Sequence, residues 1–273
     1  MPVESLIHPT AIINSGAIIH ETAHVAPYAV IGAHVEIGAG TRIGSHAVID
    51  GRTKIGENCR IFPGASIGLE PQDLSYKDEP TGVIIGDRVT IREYATIHRG
   101  TGDRFTTIGD DCFFMNYSHI AHDCQVGKGV ILANNATFAG HCQIGDNVVA
   151  AGLTVFHQHV RIGRMAMISG ISGSRVDIPP FSTCDGRPLQ VRAINLVGMR
   201  RQKFSAETRA AIKQSYVYIY RSGLNNTQAL GKLVELYSHL PEVMEIVAFF
   251  KSSKRGVAKG YTSVTADESS DGD

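Results

Sequence analysis

A bulky apolar residue recurs at every sixth position over most of the chain, and this repeat excludes most folds. It stands in three runs, with Ala150 the one small member: Ile7, Ile13, Ile19, Val25, Ile31, Ile37, Ile43, Ile49, Ile55, Ile61 and Ile67; Ile85, Ile91 and Ile97; and Ile108, Phe114, Ile120, Val126, Leu132, Phe138, Ile144, Ala150, Phe156, Ile162 and Ile168. A smaller residue such as Ala, Cys, Val or Thr follows four positions later, and Gly often follows directly. An α-helix repeats its apolar stripe every 3.6 residues, so a period of six indicates short strands joined by turns.

Such repeats bury their apolar side chains only by stacking on one another. Three hexads would form one coil with three flat faces, and successive coils would lie ~4.8 Å apart, the ordinary strand spacing. The twenty-five hexads therefore predict a parallel β-helix of about eight coils, shaped as a triangular prism roughly 40 Å long. We assign this domain to residues 1–184.

Charge and hydropathy restrict the partners and the location. The chain has 26 Lys or Arg and 26 Asp or Glu, so its formal net charge of zero favours neither a nucleic-acid nor a membrane-surface partner. No run approaches the ~18 apolar residues that cross a bilayer. The N-terminus lacks the charged and apolar regions of a signal peptide. We therefore expect a cytoplasmic protein without a transmembrane segment.

The cysteines are best explained by the repeat. Four of the five occupy its small inward position, namely Cys59, Cys112, Cys124 and Cys142. No Cys-x-x-Cys pair is present. We therefore predict free thiols that pack as small apolar side chains, not disulfides or zinc ligands.

Two insertions interrupt the repeat. Residues 69–84 contain two prolines and several charged residues, which is typical of a loop that leaves the prism. The repeat resumes at Ile85, eighteen residues after Ile67, so this loop replaces the greater part of one coil. Residues 102–107 form the second, shorter insertion. Long loops on a compact scaffold usually carry function, so Asp73 in the first loop is a candidate site residue.

Counting along the coils places four histidines near one edge of the prism. The steps from His98 to His122, then to His141 and to His157, are 24, 19 and 16 residues, and the first includes about five inserted residues. Each step is close to one coil, so the four side chains should stack about one strand spacing apart. His119 should lie around the corner of the same coil as His122. Histidine transfers protons near neutral pH, so we interpret this ladder as a functional site.

The residues around His122 suggest acyl transfer. His122 is a candidate general base, and the carboxylate of Asp123 is a candidate to fix its tautomer or stabilise the imidazolium. Gly140, one coil later, has no side chain, so its backbone N–H can approach a developing oxyanion. The cysteines point inward, which favours direct attack by an acceptor hydroxyl or amine. The edge segment around Gly170 lacks bulky outward side chains and offers a surface for a long acyl chain.

The C-terminal part lacks the six-residue repeat and has the apolar spacing of helices. The repeat ends at Pro179-Pro180, since proline cannot continue strand pairing. Apolar residues then recur at helical spacing, which predicts helices over residues 189–204, 206–221, 227–240 and 242–253, with Ser205 and Asn226 as N-caps and Gly223 as a stop. Residues 186–255 hold twelve Lys or Arg against four Glu, so we expect a basic helical domain over 185–257 that docks an acidic partner or phosphates. We expect a polar, disordered tail over 258–273.

Taken in order, several motifs resemble one enzyme family. IGLEPQDLSYKDEPT, IREYATIHRGT, HIAHDCQVG, ILANNATFAGH and VFHQH, followed by DIPPF and a basic helical segment, resemble the acyl-[acyl-carrier-protein]–UDP-N-acetylglucosamine O-acyltransferases, which begin lipid A biosynthesis. The resemblance covers about residues 7–255. It implies a left-handed β-helix, an exception to the usual crossover handedness, and a homotrimer with active sites in the clefts between subunits. It also implies transfer of an (R)-3-hydroxyacyl group from acyl carrier protein to the glucosamine 3-hydroxyl, without a metal or other cofactor.

The resemblance assigns a role to each matching residue. His122 matches the general base, Asp123 its partner and the Gly140 backbone the oxyanion donor. His141 would hold the acyl chain's 3-hydroxyl or assist the base, and Gly170 would limit acyl length. The remaining matches are substrate contacts: Gln72 and Asp73 for the sugar hydroxyls, Asn195 and Arg201 for the nucleotide and its phosphates, and His98, His119, His157 and Gln158 for the cleft lining.

Three positions depart from the family pattern, and other functions stay open. Ser75 stands where many members have Lys, Val197 where an acid is common, and Gln202 where an Arg is common. A 3-amino sugar or another nucleotide sugar is therefore an alternative acceptor. The rival functions are a related N-acyltransferase of the same pathway, a γ-type carbonic anhydrase with zinc on His98, His119 and His122, and a non-catalytic β-helix scaffold.

Overall fold

The computed structural model describes residues 6–261, in which three parallel sheets form the faces of a prism. We number the strands β1 to β27 in chain order; the chain visits the sheets in turn, so each coil adds one strand to each face. Sheet I contains β1 (Ile12–Ile13), β4 (Val30–Ile31), β7 (Val48–Ile49), β10 (Ser66–Leu69), β13 (Thr96–His98), β16 (His119–Ile120), β19 (Thr137–Phe138), β22 (Val155–Phe156) and β25 (Gly173–Ser174). Sheet II contains β2 (Ile18–Ile19), β5 (Glu36–Ile37), β8 (Lys54–Ile55), β11 (Val83–Ile85), β14 (Thr106–Ile108), β17 (Gln125–Val126), β20 (Gln143–Ile144) and β23 (Arg161–Ile162). Sheet III contains β3 (His24–Val25), β6 (Arg42–Ile43), β9 (Arg60–Ile61), β12 (Thr90–Ile91), β15 (Phe113–Phe114), β18 (Ile131–Leu132), β21 (Val149–Ala150), β24 (Met167–Ile168), β26 (Ser182–Asp185) and β27 (Gln190–Ile194).

This architecture is the predicted left-handed parallel β-helix with a helical C-terminal part. The prism has three edges, which we name by the sheets they join: edge 1 joins sheet I to sheet II, edge 2 joins sheet II to sheet III, and edge 3 joins sheet III to sheet I. Outside the two insertions and the last coil, where Met167 pairs with Thr183, the parallel strands pair at a step of 18 residues, as in Ile31 with Ile49. Sheets I, II and III hold nine, eight and ten strands, and the solenoid has about 10 turns, more than the eight coils expected from the repeat.

The core is the stack of inward residues that the repeat predicts. Ile31, Ile49 and Ile67 follow one another in sheet I and are fully buried. Farther along the same column Phe138 and Phe156 stack with ring centroids 4.6 Å apart. All five cysteines are free and buried, as predicted for the four that belong to the repeat. Burial of these columns holds the coils together, because strands of two or three residues could not persist alone.

The first insertion is tied back to the prism. It connects β10 to β11 at edge 1, and Arg99 anchors it by donating a hydrogen bond from Nε to the Tyr76 hydroxyl at 2.9 Å. That hydroxyl in turn donates to the Glu79 carbonyl at 3.0 Å. The loop that carries Asp73 is therefore fixed near its middle as well as at its two ends.

Within the described residues four helices follow the prism, and the first differs from its prediction. They are α1 (Leu196–Arg201), α2 (Ala206–Arg221), α3 (Asn226–Tyr237) and α4 (Pro241–Ser252). The helix predicted over 189–204 is wrong, since β27 occupies its first part and pairs antiparallel with β26 at the open end of sheet III. Available backbone partners there outweigh helical propensity. The domain boundary expected at 184/185 therefore falls inside a hairpin.

Helix ends agree with the capping predictions at two positions and differ at one. The Ser205 hydroxyl accepts from Thr208 N–H at the start of α2, and Gly223 has φ +77° just after it ends. Asn225, not Asn226, caps α3, in a reciprocal capping box with Gln228. Arg164 of the prism pairs with Glu245 of α4 at 2.8 Å, which joins the helices to the β-helix.

The C-terminal residues 258–261 pair with the domain and are not a disordered tail. Val257 and Gly260 form bridges to Asp177 and Val191, and Ala258 is buried. The rest of the predicted tail, 262–273, lies outside the described residues. Within residues 6–261, no helix is both long and apolar enough to cross a membrane.

Candidate active site

Edge 1 gathers most of the predicted site residues. The turns after β13, β16, β19 and β22 and the first insertion all lie along this edge. Together with the last residue of β13, they supply His98, His122, Asp123, Gly140, His141, His157, Gln158, Gln72 and Asp73. His119 begins β16, within sheet I. The coil geometry therefore brings together residues that are up to 86 positions apart in sequence.

The histidines occupy neighbouring columns of this edge, not the single ladder that we predict from the sequence. Two hydrogen bonds fix the register: His141 N–H donates to the His122 carbonyl, and His159 N–H donates to the Gly140 carbonyl, both at 3.0 Å. Asp123, His141 and His159 thus share one turn position, with φ of +61°, +62° and +63°. His122 and His157 lie at other positions of their turns. His159 is missing from the prediction, although its 18-residue spacing from His141 was the available signal.

His122 and Asp123 form a buried pair. The His122 Nδ1 lies 2.7 Å from Asp123 Oδ2, and the two residues are only 4% and 5% exposed. Asp123 also accepts a hydrogen bond from Thr101 N–H at 3.0 Å and one from the Thr101 hydroxyl at 2.7 Å. Its own N–H donates to the Thr106 hydroxyl at 2.9 Å. Thr101 directly precedes the second insertion and Thr106 lies within it, so this segment holds both the carboxylate and the backbone of Asp123.

These contacts keep Asp123 ionised. Burial alone would raise the pKa of Asp123, but hydrogen bonds from His122 and Thr101 outweigh it and lower the pKa to about 2. An ionised carboxylate only accepts hydrogen bonds, so His122 Nδ1 carries the proton and Nε2 is the basic nitrogen. The pair therefore presents one base of defined tautomer at edge 1.

Gly140 lies directly against this base. A Cβ at residue 140 would stand 2.5 Å from His122 Nε2 and 2.6 Å from Cε1, so only glycine leaves room for the ring. Within residues 6–261 the Gly140 N–H has no hydrogen-bond acceptor. Pro27 and Pro63 occupy the same turn position in other coils, so the β-helix itself does not use an N–H there. This N–H is thus free to donate to a bound substrate beside Nε2.

His141 and the two inner histidines are biased toward the neutral form. His141 Nε2 lies 3.7 Å from Asp123 Oδ2. Burial lowers the pKa of His141, the Asp123 charge opposes this, and charges on His159 and His122 add to it. Burial, with charges on His119 and His122, lowers the pKa of His98 to about 4. Burial likewise lowers the pKa of His119, whose Nδ1 contacts the Thr96 hydroxyl at 2.7 Å.

The histidine arrangement gives no support to the carbonic anhydrase alternative. Within the part of the chain described, one group of three donors has metal-ligand spacing, and it comprises His122, Asp123 and His141. It does not include His98 or His119. The 2.7 Å contact between His122 and Asp123 is moreover a direct hydrogen bond, which leaves no room for an ion between them.

Asp73 is oriented by Ser75, one of the three residues that depart from the family pattern. Its Oδ1 accepts hydrogen bonds from Ser75 N–H at 2.9 Å and from the Ser75 hydroxyl at 2.8 Å. These bonds lower the pKa of Asp73, with a smaller contribution from positive charge on His122 and His141. The carboxylate therefore lies within electrostatic range of His122 and His141, and the neighbouring Gln72 is exposed.

His157 contacts the C-terminal segment. Arg255 Nη2 lies 3.2 Å from His157 Nδ1 and donates a hydrogen bond to it, while the Arg255 Nε donates to the Arg175 carbonyl at 3.0 Å. His157 and Gln158 are exposed at the far end of edge 1. They extend the row of polar side chains beyond Gly140 toward the helical domain.

Three predicted residues lie on other edges. Gly170 is in the turn between β24 and β25 on edge 3. Asn195 caps α1 near edge 2: its Oδ1 accepts from Gly198 N–H at 2.8 Å and its Nδ2 donates to the Met165 carbonyl at 2.9 Å. Arg201 is exposed at the end of α1. One chain therefore does not bring these residues to His122.

Replacing Thr101 with valine is expected to destabilise the protein in a pH-dependent manner. The pKa of Asp123 is below its ordinary value of 3.8, so its contacts stabilise the fold above about pH 4, and this contribution is lost as pH falls toward about 2. Loss of one hydrogen bond to a charge should cost about 1.5–3 kcal/mol of unfolding free energy at neutral pH. The difference from the unsubstituted protein should shrink below pH 4.

Denaturant unfolding at several pH values measures this effect. Thr107→Val is the matched control, because the Thr107 hydroxyl donates to the exposed, neutral Gln125 side chain at 2.6 Å. Its effect should not depend on pH in this range. Equal and pH-independent effects of the two substitutions would show that Thr101 does not support the Asp123 charge.

Comparison with known proteins agrees with this geometry. The family described as UDP N-acetylglucosamine O-acyltransferase, domain 2, matches residues 177–258, and the bacterial transferase hexapeptide family matches residues 16–51 and 105–140. The acyl-[acyl-carrier-protein]--UDP-N-acetylglucosamine O-acyltransferase of Anaeromyxobacter sp. is 46% identical over 93% of this chain and 99% of its own length. That of Thermodesulfovibrio yellowstonii is 46% identical over 74% of this chain and 80% of its own length.

Solved structures give the same result. The crystal structure of UDP-N-acetylglucosamine O-acyltransferase from Moraxella catarrhalis superposes with a TM-score of 0.90 at 40% identity, and the match covers 93% of this chain and all of that one. The sequence match to full-length relatives, the shared fold and the edge 1 residues agree with one another. The chain belongs to the family of acyl-[acyl-carrier-protein]–UDP-N-acetylglucosamine O-acyltransferases.

Proposed function

We propose that this protein transfers an (R)-3-hydroxyacyl chain from acyl carrier protein to the 3-hydroxyl of UDP-N-acetylglucosamine, in the cytoplasm, as the first step of lipid A biosynthesis. The observation that carries the proposal is the His122–Asp123 pair with the free Gly140 N–H beside its basic nitrogen. A base and an oxyanion donor at one point are what an acyl transfer to a hydroxyl requires.

The reaction needs no covalent enzyme intermediate. His122 Nε2 takes the proton of the 3-hydroxyl as its oxygen attacks the thioester carbonyl, and the Gly140 N–H donates to the oxyanion. The carbon–sulfur bond then breaks, the ester forms, and the imidazolium returns its proton to the leaving thiolate. Asp123 stabilises the imidazolium meanwhile. Burial raises the pKa of Cys112 to about 11, so the buried cysteine thiols are unsuited to act as nucleophiles.

The remaining edge 1 residues would bind the two substrates. Asp73, held by Ser75, would accept hydrogen bonds from the sugar hydroxyls, and the Gln72 amide would donate hydrogen bonds to them or accept from them. His141, beside the base, would bind the 3-hydroxyl of the acyl chain. The other members of this group line the cleft: His98, His119, His157 and Gln158. Metal and other cofactors have no step in this scheme.

The assembly that completes the site is a homotrimer in this proposal. Catalytic, acyl-binding and nucleotide-binding residues lie on three different edges of one prism, so a second copy must bring Gly170, Asn195 and Arg201 to His122. Edge 3 also exposes a row of large side chains, each more than half exposed: Tyr28, Tyr94, Tyr117, Leu153 and Ile171. Exposed apolar rows of this kind usually mark an interface. The basic helices, outside that row, would receive the acidic carrier protein.

An acyl-transfer assay tests the proposal. Purified protein would be given a panel of 3-hydroxyacyl carrier proteins, with UDP-N-acetylglucosamine or its 3-amino analogue as acceptor, and products would be identified by mass. We expect ester formation on the 3-hydroxyl by a protein that sediments at three times the chain mass. Amide formation on the amino sugar alone would support the alternative acceptor, to which Ser75, Val197 and Gln202 point. Transfer to neither acceptor would contradict the proposal.

A further inference from the structure

His159 belongs to the same column as the catalytic carboxylate but has no part in the mechanism above. It lies one coil beyond His141 and two coils beyond Asp123, at the same turn position. Its ring stacks flat on that of His141, with centroids 4.4 Å apart and planes 8° apart. His141 in turn meets the His122 ring edge-on, at 5.0 Å and 84°. The base is therefore the first of three histidine rings in contact.

His141 can compete with the base for its carboxylate. His141 Nε2 lies 3.7 Å from Asp123 Oδ2, the oxygen that already accepts from His122 Nδ1 at 2.7 Å. A protonated His141 would be attracted to this oxygen. The His122–Asp123 bond would then weaken, and His122 would lose its fixed tautomer. The geometry of the pair thus depends on His141 remaining neutral.

Several charged or titratable groups act on His141, and they come from different elements. Asp123 favours its protonation, and Asp73 of the first insertion carries a second negative charge within electrostatic range. His159, His122 and Arg104 disfavour its protonation. Of these three, His159 alone makes full face-to-face contact with the ring. Two stacked imidazoles can both be neutral at little cost, whereas a second proton meets a like charge at about 4–5 Å.

We propose that His159 is a positioning residue of this active site, which holds the His141 ring by stacking and opposes its protonation, so that Asp123 stays paired with His122. His159 is exposed at the surface of edge 1, whereas the His141 ring beneath it is partly buried. The inference rests on the proposed roles of His122 and Asp123. It explains why a third histidine ring lies so close to a site that needs one base.

Two substitutions separate the charge of His159 from its shape. His159→Phe keeps a flat ring without a titratable group, and Phe181 already adopts the same backbone conformation, with φ +62°. His159→Glu replaces a potential cation by an anion. We expect the pH midpoint of the His141 titration, followed by NMR of its ring protons, to rise by roughly half a pH unit in the first variant and by about one unit in the second. The acid limb of kcat/KM should move to higher pH in the same order.

His46→Phe is the matched control. His46 has the same turn position and conformation, with φ +59°, and stacks on Tyr28 at 5.2 Å, but it lies on edge 3. It should leave the His141 titration unchanged. A His141 midpoint that is unmoved in both His159 variants would overturn the proposal, and so would a moved midpoint with an unmoved acid limb. The NMR titration does not depend on turnover, so failure of the proposed acyl transfer would be recognised separately.

Discussion

Substitution of His122 by alanine is expected to lower turnover by about 10²–10⁴-fold, the usual cost of removing one general base. His122 Nε2 is the basic nitrogen that Asp123 fixes, and a Cβ at residue 140 would stand only 2.5 Å from it. Steady-state rates of acyl transfer at saturating acceptor measure this effect. The loss should appear in kcat, because His122 is needed for proton transfer more than for binding.

Folding of the His122 variants must be verified, since Asp123 would lose one partner. The two Thr101 hydrogen bonds to Asp123 remain, so we expect the β-helix to persist. His122→Gln retains a donor toward Asp123 but no base, and it should be as inactive as the alanine variant. His20→Ala, at an exposed histidine of an N-terminal coil, is the control. A folded His122→Ala protein with near-normal turnover would refute the mechanism.

Gly140→Ala is expected to lower turnover by about 10²-fold or more. The added Cβ would stand 2.5 Å from His122 Nε2, and real atoms do not approach so closely. Either the His122 ring or the turn must move, and a displacement of about 1 Å at a reacting group can cost 10²-fold. The 2.7 Å bond to Asp123 would be strained or lost as well. The substitution therefore tests the site without removing any of its polar groups.

Gly152→Ala supplies the control for the fold. Gly152 occupies the same turn position on edge 3, where the nearest atom to an added Cβ is the Asn134 carbonyl oxygen at 3.3 Å. Thermal unfolding should therefore change little in this variant. If Gly140→Ala retained activity within a few-fold of the unsubstituted protein, Gly140 would not have to contact the His122 ring during catalysis.

The fold was predictable because its determinants are local and repeated. One bulky and one small residue per hexad specify the inward face of every strand, and their burial in the structure follows directly. Strand β27 was not predictable in this way. Its residues, such as Val191 and Ile194, have the spacing of a helix. They pair as a strand because the outer edge of β26, at the end of sheet III, offers them backbone partners.

The sequence predicts which edge of the prism carries the site, but not which turn position each histidine occupies on that edge. Steps of 24, 19 and 16 residues place four histidines on one edge, yet adjacent turn positions differ by a single residue. The structure shows that His141 stacks on His159, which follows it by one full step of 18 residues, and not on His157. Thr101 and Thr106 lie beside and within an insertion, where the repeat gives no position, so their contacts with Asp123 could not be inferred.

The 18-residue step has a consequence for how this chain tolerates changes in length. Both insertions leave and re-enter the prism at edge 1, and the strands after them resume their pairing, as in Ile55 with Ile85 and Ile85 with Ile108. A change in the length of these loops therefore does not by itself shift the register of any later coil. Between His122 and His141 the chain has no such buffer. Loss of one residue there would shift every following residue by one position around the prism. Gly140 would then no longer lie beside His122, and the base would be separated from its oxyanion donor.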